Sequence, residues 1–519
     1  MVRAVGLCDA EGVTTPPEPH GADPSGFDPH PATAHLATAT ASSLAADLAT
    51  GATTSVALVR ALLDRIAAVD DAGPELRAVL AVSADALDQA AALDAERAAG
   101  TLRGPLHGIP VLVKDNIEAV GLPATAGSLA LAGRPVEQDA PLVASMRAAG
   151  LVVLASTNLS EWANMRSPHS ASGWSCVGGL TGNPWALDRS AGGSSSGSGA
   201  AVAAGLAPFA VGTETDGSIT CPSSLNGVVG LKPTVGLVST AGVVPLAASQ
   251  DAPGPMARSV RDVALLLDAM TGSSAYCAAP GTRAVADLRL GVAAGWVSGH
   301  VGTDALFTAS MARLEAAGAR VGTVEVAPAG AAGQAELTVL LCELKDGLDG
   351  YLAARGGDGP RSLAEVVAFD LEHADLELAH FGHEFLEAAL ATGGVEDPAY
   401  AEARAACLAW AVEQTLEPAF AGDLAPEVLV APAYAPAWKS DLSAGDHFLG
   451  GGVASTAPSL AGWPVLCLPM GLVAGLPVGL VLVGRPHAEA ALLAVGHAVE
   501  EALGVVGTLA PTWSPPGRG

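Results

Sequence analysis

Residues 190–205 read SAGGSSSGSGAAVAAG, and this stretch decides how the rest of the chain is interpreted. A run so dense in glycine and serine is usually a flexible linker. Here it opens into a predicted small-residue helix at Gly199–Ala204 and a predicted buried strand at Phe209–Val211, which argues against a linker. A phosphate-binding loop would show a GxxxxGK[ST] pattern and a nearby lysine, and the sequence supplies neither. The remaining interpretation is a tightly packed catalytic loop whose serine hydroxyls face a buried site.

The same helix-to-strand order recurs along the chain. Predicted helices precede predicted strands at Leu142–Ala149 and Leu151–Leu154, at Val260–Met270 and Leu288–Val292, and at Asp304–Ala317 and Val321–Val326. Another apolar strand is predicted at Ile109–Val113, and Ser83 is predicted to cap a helix that ends at Gly100. This alternation predicts an α/β fold with a mostly parallel or mixed buried sheet.

Domain organisation follows from the segments that interrupt this alternation. Residues 1–36 are rich in proline, glycine, aspartate and histidine without periodicity, and we expect a mobile N-terminal tail. Residues 37–515 are expected to form a single domain. Within it, residues from about 333 to 420 have helical patterning and no clear strand, which predicts a helical insert.

One long apolar segment resembles a membrane span in its composition. Residues 448–484 carry no charged side chain, and a spanning helix needs about 20 apolar residues. Prolines and glycines interrupt the segment, however. Two buried strands, around Val465–Leu468 and Gly479–Val483, are therefore the preferred interpretation.

Composition narrows the possible partners. The chain has 25 basic and 53 acidic side chains, which gives a formal net charge of −28. Half of the residues are hydrophobic and 15% are charged, which excludes a disordered chain and a coiled coil. Because phosphates and anionic lipid surfaces attract basic side chains, the acidic balance argues against nucleic acid and membranes as partners.

Cysteine usage indicates the compartment. The seven cysteines are odd in number and scattered, without a CxxC pair. A disulfide framework or a zinc site is therefore not expected, and a reducing compartment fits best. The first residues contain no apolar stretch of signal-peptide length. We expect a cytoplasmic protein.

Ser218 is a candidate catalytic serine. It lies 24 residues after Ser194, in the stretch GTETDGSITCP at 212–222. The preceding Gly217 suggests a sharp turn that exposes the hydroxyl and directs successive backbone N–H groups inward. Such groups can stabilise a developing oxyanion.

Lys114 ends a predicted apolar strand within GIPVLVKDNI at 108–117. A salt bridge to the neighbouring Asp115 is the default interpretation when the stretch is taken alone. Burial would instead lower the pKa of the amine and allow a neutral lysine to act as a base. Because the sequence has no GxSxG motif and no histidine in a triad context, a lysine-based serine mechanism becomes attractive.

Taken together, these segments resemble the amidase signature family and, within it, the bacterial peptide amidase branch. The similar segments are GPLHGIPVLVKDNI (104–117), TAGS (125–128), NLSEWANMRS (158–167), SGWS (172–175), the Gly/Ser loop, GTETDGSITCPSS (212–224), NGVVGLKPT (226–234) and SQDAPGPMARSV (249–260). The resemblance covers roughly residues 43–510 and is weaker in the insert. It implies an amidase signature fold, in which helices cover both faces of a large central mixed β-sheet. The family's Gly-Gly-Ser-Ser-Gly-Gly appears here as GGSSSG, and Asp216 replaces the commoner glycine.

The resemblance also implies a Ser–cis-Ser–Lys triad. Ser218 is the implied nucleophile, Ser194 is the middle serine after a cis Gly193–Ser194 peptide, and Lys114 is the terminal base. The residues whose N–H groups form the implied oxyanion hole are Thr215, Asp216, Gly217 and Ser218. Ser195 is expected to support the loop by hydrogen bonds. No metal and no organic cofactor is implied.

The implied activity is hydrolysis of linear carbon–nitrogen amide bonds through an acyl-enzyme. The favoured substrate is the C-terminal carboxamide of a peptide, with release of ammonia. Two alternatives stay open, a general aliphatic or aryl amidase and the glutaminase subunit of a tRNA-dependent amidotransferase. A non-catalytic binding protein is disfavoured because all three triad positions are filled. The expected partner is a small-molecule or peptide amide, bound by a monomer or homodimer.

One further cluster lies in the insert, where a helical stripe could be formed by His373, Glu377, His380 and Glu384. Such spacing can bind a metal ion. We interpret it instead as a solvated surface or as part of the mouth of the site, since Gly382 weakens the helix.

Two other signals concern single side chains. Lys232, next to Pro233, is expected to pack and contact a carbonyl rather than take part in catalysis. The tryptophans Trp162, Trp174 and Trp185 could line a substrate cleft or pack in the core, and the sequence does not decide between the two.

Overall fold

The computed structural model describes residues 34–134, 136–328, 330–505, 509 and 511. The tail predicted over residues 1–36 lies almost wholly outside this range. Within the range, Leu36 is already buried against the core.

Eleven of the described strands form one sheet. In chain order the strands are β1 (Val79–Val82), β2 (Pro110–Lys114), β3 (Val152–Thr157), β4 (Trp174–Ser175), β5 (Gly179–Leu180), β6 (Gly182–Asn183), β7 (Ala186–Ser190), β8 (Phe209–Glu214), β9 (Val229–Lys232), β10 (Ala252–Ala257), β11 (Arg289–Ala293), β12 (Arg320–Val324), β13 (Val428–Pro432), β14 (Val465–Val473) and β15 (Leu476–Val483). The order across the large sheet is β1-β3-β2-β8-β10-β9-β14-β15-β13-β11-β12. Parallel pairs (β2 with β3 and β8, β11 with β12 and β13) flank an antiparallel centre, so the sheet is mixed, as predicted.

Sixteen α-helices are present in the described residues. They are α1 (Ala41–Thr50), α2 (Ser55–Val69), α3 (Ala86–Ala98), α4 (Pro141–Ala148), α5 (Ser196–Ala204), α6 (Thr220–Asn226), α7 (Val260–Thr271), α8 (Val301–Ala316), α9 (Gly333–Ala354), α10 (Leu363–Glu372), α11 (Ala374–Glu377), α12 (Glu384–Leu390), α13 (Pro398–Leu408), α14 (Glu417–Phe420), α15 (Val453–Ala461) and α16 (Glu489–Leu503). A π-helical stretch, Ala409–Leu416, joins α13 to α14. The predicted insert is entirely helical over its described elements.

Alternating side chains of the sheet enter two different cores. In the β14–β15 hairpin, Leu466 and Leu482 lie in one hydrophobic cluster, while Val465 and Val483 lie in another. Because successive residues of a strand point to opposite faces, both faces of the sheet are covered. The charge-free segment 448–484 therefore consists of helix α15 and the two predicted strands, β14 and β15, which are longer than expected. No helix in the described part of the chain is long and apolar enough to cross a membrane.

Helix α5 follows the Gly/Ser loop and is buried on every side. A Cβ atom at Gly197 would lie 2.3 Å from the carbonyl oxygen of Ala78, and one at Gly199 would lie 2.9 Å from Nδ2 of Asn226. Only small residues allow this close approach, so the composition that resembles a linker is a packing requirement.

Helices α1 and α16 meet at the start of α7. The Asp262 carboxylate accepts hydrogen bonds from the backbone N–H groups of Ala41 (2.9 Å) and Ser42 (3.1 Å) at the beginning of α1. Two residues earlier, the N–H of Val260 donates to Oε1 of Glu500 on α16 at 2.8 Å. The first and last α-helices of the described residues are therefore fixed to one turn of a third helix.

One predicted cap is wrong. Helix α3 begins at Ala86 after Asp85, and the Ser83 hydroxyl donates to the Asp85 carboxylate instead of capping the helix. The helix ends at Ala98, shortly before Gly100, whose φ of 80° is left-handed.

Candidate active site

Lys114 is fully buried at the end of β2. Its Nζ donates hydrogen bonds to Oγ of Ser194 at 2.7 Å and to Oγ1 of Thr213 at 2.8 Å. A longer contact of 3.3 Å reaches the carbonyl oxygen of Thr213. The Asp115 carboxylate instead accepts the N–H of Thr125 at 2.9 Å, and no ion pair to Lys114 forms within the described residues. The salt-bridge interpretation is therefore wrong.

The surroundings of Lys114 favour the uncharged amine. Desolvation by burial lowers its pKa from 10.5 to about 7, while the negative charges of Asp251 and Glu214 oppose this shift. Near neutral pH a large fraction of the side chain therefore carries a free lone pair.

The Gly/Ser loop holds Ser194 against this amine. The Gly193–Ser194 peptide is cis, as the resemblance implied. The neighbouring Ser195 hydroxyl donates to the carbonyl oxygen of Thr213 at 3.1 Å and accepts the N–H of the same residue at 3.2 Å. The Ser195 N–H donates to the Ser218 carbonyl at 3.1 Å, so Ser195 joins the loop both to β8 and to the turn that carries Ser218.

Gly193 and Gly217 are required by the space around them. A Cβ atom at Gly193 would lie 2.3 Å from Oγ of Ser160. At Gly217, where φ is 82°, it would lie 2.6 Å from Oη of Tyr434. Both positions border the cavity, so larger residues would intrude into the site as well as strain it.

Ser218 follows this turn and is 8% exposed. Within the described residues, the N–H groups of Thr215, Asp216, Gly217 and Ser218 donate to no protein acceptor. The next two N–H groups, of Ile219 and Thr220, are taken by the Glu214 carboxylate at 2.6 and 2.8 Å. The turn thus leaves four consecutive donors available beside a serine hydroxyl.

These groups line a cavity of about 170 Å³. Its described lining residues are Ala163, Asn164, Met165, Ser172, Gly193, Thr215, Asp216, Gly217, Ser218, Cys221, Leu246, Leu340, Tyr434 and Phe448. None of these is basic, and Asp216 is the one carboxylate among them. The Asp216 carboxylate accepts a hydrogen bond from Thr456 at 2.8 Å, and burial raises its pKa to about 6.

The chain shares its sequence pattern with one family of known proteins. Residues 57–493 match the family model described as Amidase. The chain belongs to the amidase family. It is accordingly a hydrolase that acts on amide carbon–nitrogen bonds.

This amidase is similar to solved structures over most of its length. The crystal structure of PAM12A has a TM-score of 0.87 and 44% identity, and the match covers 92% of this chain and 98% of that one. The native peptide amidase from Stenotrophomonas maltophilia has a TM-score of 0.84 and 43% identity over the same shares of the two chains. Among sequence relatives, a glutamyl-tRNA(Gln) amidotransferase subunit of Symbiobacterium thermophilum is 35% identical over 474 residues, covering 87% of the amidase and 94% of the relative.

Two polar residues next to the lysine were missed from the sequence, Thr213, which contacts it, and Asn116, which contacts Thr213. Thr213 Oγ1 accepts hydrogen bonds from Lys114 and, at 3.0 Å, from Nδ2 of Asn116. Both residues lie inside the quoted motifs. Because side chains alternate along a strand, Thr213 could have been placed on the same face of β8 as Val211. Tyr434 and Phe448, by contrast, line the cavity from distant segments that carry no motif.

The predicted stripe in the insert does not form. Residues 373–384 are divided between α11, a loop and α12. Glu377 is fully buried, lies 3.6 Å from the Arg166 guanidinium and accepts the N–H of Leu129 at 2.8 Å, so the solvated interpretation is wrong for this residue. The described residues contain no cluster of ligands that could hold a metal ion.

The remaining single-residue predictions are resolved by burial. The Lys232 amine donates to the carbonyl oxygen of Trp463 at 2.8 Å, as expected for a packing lysine. All three candidate tryptophans are buried and none lines the cavity, so the core interpretation is correct.

Proposed function

We propose that this amidase removes the C-terminal carboxamide of peptides through a Ser–cis-Ser–Lys acyl-enzyme mechanism. The observation that carries the proposal is the 2.7 Å hydrogen bond between Lys114 Nζ and Ser194 Oγ, in a site where burial lowers the lysine pKa to about 7. A base with a pKa near the working pH is well matched to proton transfer.

The proton path starts at the neutral Lys114. It accepts the proton of Ser194, which accepts that of Ser218, and Ser218 Oγ bonds to the amide carbon. The carbon–nitrogen bond then breaks, and the leaving nitrogen receives the proton back through Ser194. Water attacks the acyl-enzyme by the same path and releases the carboxylate.

Charge on the carbonyl oxygen develops next to free donors. The N–H groups of residues 215–218 would stabilise this oxyanion without reorganisation, because no other acceptor in the described chain occupies them. A single donor of this kind typically contributes about 10²–10³ in rate.

The lining of the cavity supports an uncharged acyl group next to the amide. Glutamine carries a carboxylate, and no basic side chain in the described lining could neutralise it. We therefore propose a peptide amide, as for the similar peptide amidase, and not glutamine, as for the glutaminase subunit of an amidotransferase. We also propose that the protein works as a monomer or homodimer in the cytoplasm, without nucleic acid or membrane; the six described cysteines are all free, which suits a reducing compartment.

The first test is ammonia release from a panel of peptide amides, simple aliphatic and aryl amides, and glutamine. Mass spectrometry of the peptides should show a gain of about one dalton, since –OH replaces –NH₂ through the acyl-enzyme. Internal cleavage products, or activity confined to short aliphatic amides or to glutamine, would refute the substrate proposal.

The second test concerns the nucleophile. Ser218→Ala should lose several orders of magnitude in kcat and its labelling by a serine-directed phosphonate, while remaining folded. The matched control is Ser239→Ala, an exposed serine away from the cavity, which should keep both activity and labelling. Near-wild-type turnover by the Ser218 variant would refute the assignment.

A further inference from the structure

The segment 441–452, between β13 and α15, places an aromatic ring at the mouth of the cavity. Phe448 lines the cavity although 58% of its surface is exposed. An exposed ring that also lines a cavity is placed to contact a bound ligand. We propose that Phe448, together with Leu340, forms a subsite for an apolar side chain of the peptide amide. This inference rests on the proposed function and adds which peptide amides the site prefers.

The segment is anchored on both sides of Phe448. Before it, the Asp446 carboxylate accepts the N–H of Ser172 at 3.0 Å, the hydroxyl of Ser172 at 2.6 Å and the indole N–H of Trp438 at 3.0 Å. After it, the carbonyl oxygen of Gly450 accepts the N–H of Ala435 at 3.0 Å. The ring therefore has a fixed place relative to Ser172, which itself lines the cavity.

The Phe448 ring also rests on a rigid support. Its centroid lies 4.5 Å from that of Trp438, which is 2% exposed. A ring packed on a buried tryptophan loses little freedom when a ligand covers its other side. The exposed side is thus preorganised to contact a substrate.

The rest of the lining is matched to an apolar group. Met165 and Leu246 are buried in the wall, and Leu340 of α9 adds an apolar surface from the insert. Asp216 is the one carboxylate in the described lining, and an acidic substrate side chain would meet its negative charge. An apolar side chain of the substrate would contact Phe448 and Leu340. An acidic side chain would find no basic partner in the described lining and would lie near the Asp216 carboxylate.

The experiment measures kcat/KM for two series of blocked peptides, Ac-Gly-Xaa-NH₂ and Ac-Xaa-Gly-NH₂, with leucine, phenylalanine, serine or glutamate as Xaa. The wild-type protein is expected to favour leucine and phenylalanine over serine and glutamate by at least about tenfold in one series, as a hydrophobic subsite can provide. Phe448→Ser should reduce this ratio to about threefold or less, and Phe448→Leu should retain it. The matched control is Leu449→Ser, which changes an exposed apolar neighbour outside the lining and should leave the ratio unchanged.

The two ways of failing are distinct. If no peptide amide is hydrolysed, the proposed function is refuted. If peptide amides are hydrolysed with equal efficiency for all side chains, or if Phe448→Ser keeps the wild-type ratio, the subsite is refuted while the function stands. An equal loss of the ratio in Leu449→Ser would also refute it, because the effect would then come from the segment and not from the ring.

Discussion

Lys114 lies among hydroxyl groups and a carbonyl oxygen, without a carboxylate in ion-pair distance in the described chain. Burial therefore destabilises the charged amine, and more distant carboxylates offset this effect only in part, so the pKa falls to about 7. As the proposed base, Lys114 can accept a proton only in its neutral form. We expect kcat/KM to rise as the pH increases through about 7 and to level off above it.

Lys114→Met tests this expectation. The variant should be inactive at every pH but folded, because methionine replaces an amine whose burial opposes the charged form. The measurement is a pH–rate profile of both proteins between pH 5 and 9, with circular dichroism as the control for folding. A fully active variant with the wild-type profile would show that another group is the base.

Thr213 positions the same amine. Its hydroxyl accepts hydrogen bonds from Lys114 and Asn116, so Thr213→Val should release both and lower kcat by about 10–100-fold, with a small change in KM. Steady-state kinetics check this. Thr213→Ser keeps the hydroxyl and should restore most of the rate, and failure of this rescue would indicate that the methyl group, through packing, is what matters.

At the scale of elements, the insert is joined to the cavity wall by a buried ion-pair network. Arg166 lies between Glu161, at 2.6 Å, and Glu377 at the end of α11, at 3.6 Å. Its guanidinium also lies 5.2 Å from the ring centroids of Trp174 and Phe381. Arg166 directly follows residues 163–165, which line the cavity. The network therefore connects the helical insert to the turn that shapes the site.

Removing one member should be costly. Arg166→Met leaves two buried carboxyl groups without their cation, and breaking a buried ion pair typically costs about 3–5 kcal/mol of unfolding free energy. Denaturant unfolding measures the loss. The control is Glu417→Gln, which breaks a half-exposed pair with Arg485 but keeps the contacts of Arg485 with aromatic rings, and should cost about 0–1 kcal/mol. Equal effects of the two substitutions would contradict a structural role for the network.

Elements with a strong local pattern were predicted closely from the sequence. The strand expected at Ile109–Val113 is β2 at Pro110–Lys114, and the helix expected at Val260–Met270 is α7, one residue longer. The cap at Ser83 failed because Asp85, two residues later, also accepts hydrogen bonds and lies closer to the helix. Local propensity cannot show that these two side chains bond to each other and that neither caps the helix.

The site divides in the same way. Lys114, Ser194 and Ser218 each lie in an unbroken sequence motif that could be recognised without the structure. The structure brings Lys114 and Ser194 into direct contact. Phe448 lies 230 residues beyond Ser218, in a segment without periodicity, so only the folded chain shows that it borders the cavity. Glu377 was misplaced for a similar reason, because its partner Arg166 is distant in sequence.

For the whole molecule, buried carboxyl groups determine how stability changes with pH. Burial raises the pKa of Asp115 and Asp251 to about 6 and that of Glu500 to about 7, above an unfolded value near 4. Between these values the folded state holds protons that the unfolded state has lost, so stability is present at low pH and is lost as pH rises. Lys114, whose pKa is lowered to about 7, makes stability increase with pH, but only above about pH 7.

We therefore expect the melting temperature to fall between pH 5 and 7, while the rate of catalysis rises. Calorimetry between pH 5 and 7 measures the slope of the melting temperature against pH. Glu500→Gln keeps an oxygen that can accept the N–H of Val260 but removes one titrating group, so its slope should be shallower. A melting temperature that increases with pH in both proteins would contradict the argument.

The meeting of α1 and α16 at the start of α7 has a consequence for engineering. Residues 41–42 and 500 contact positions only two residues apart, so in a chain trimmed to α1 at one end and α16 at the other a short linker could join these helices, with new termini opened elsewhere, giving a circularly permuted enzyme. The contact also lies beyond Ala257, which pairs with Phe209, whereas the turn that carries Ser218 follows Glu214, which pairs with Ala252. Five residues of strand separate the two pairs, a distance of about 17 Å. A surface tether or a fused domain attached at the start of α1 or the end of α16 would thus lie near the ends of β8 and β10 that are remote from the Ser218 turn, and we expect the cavity to stay open to substrate.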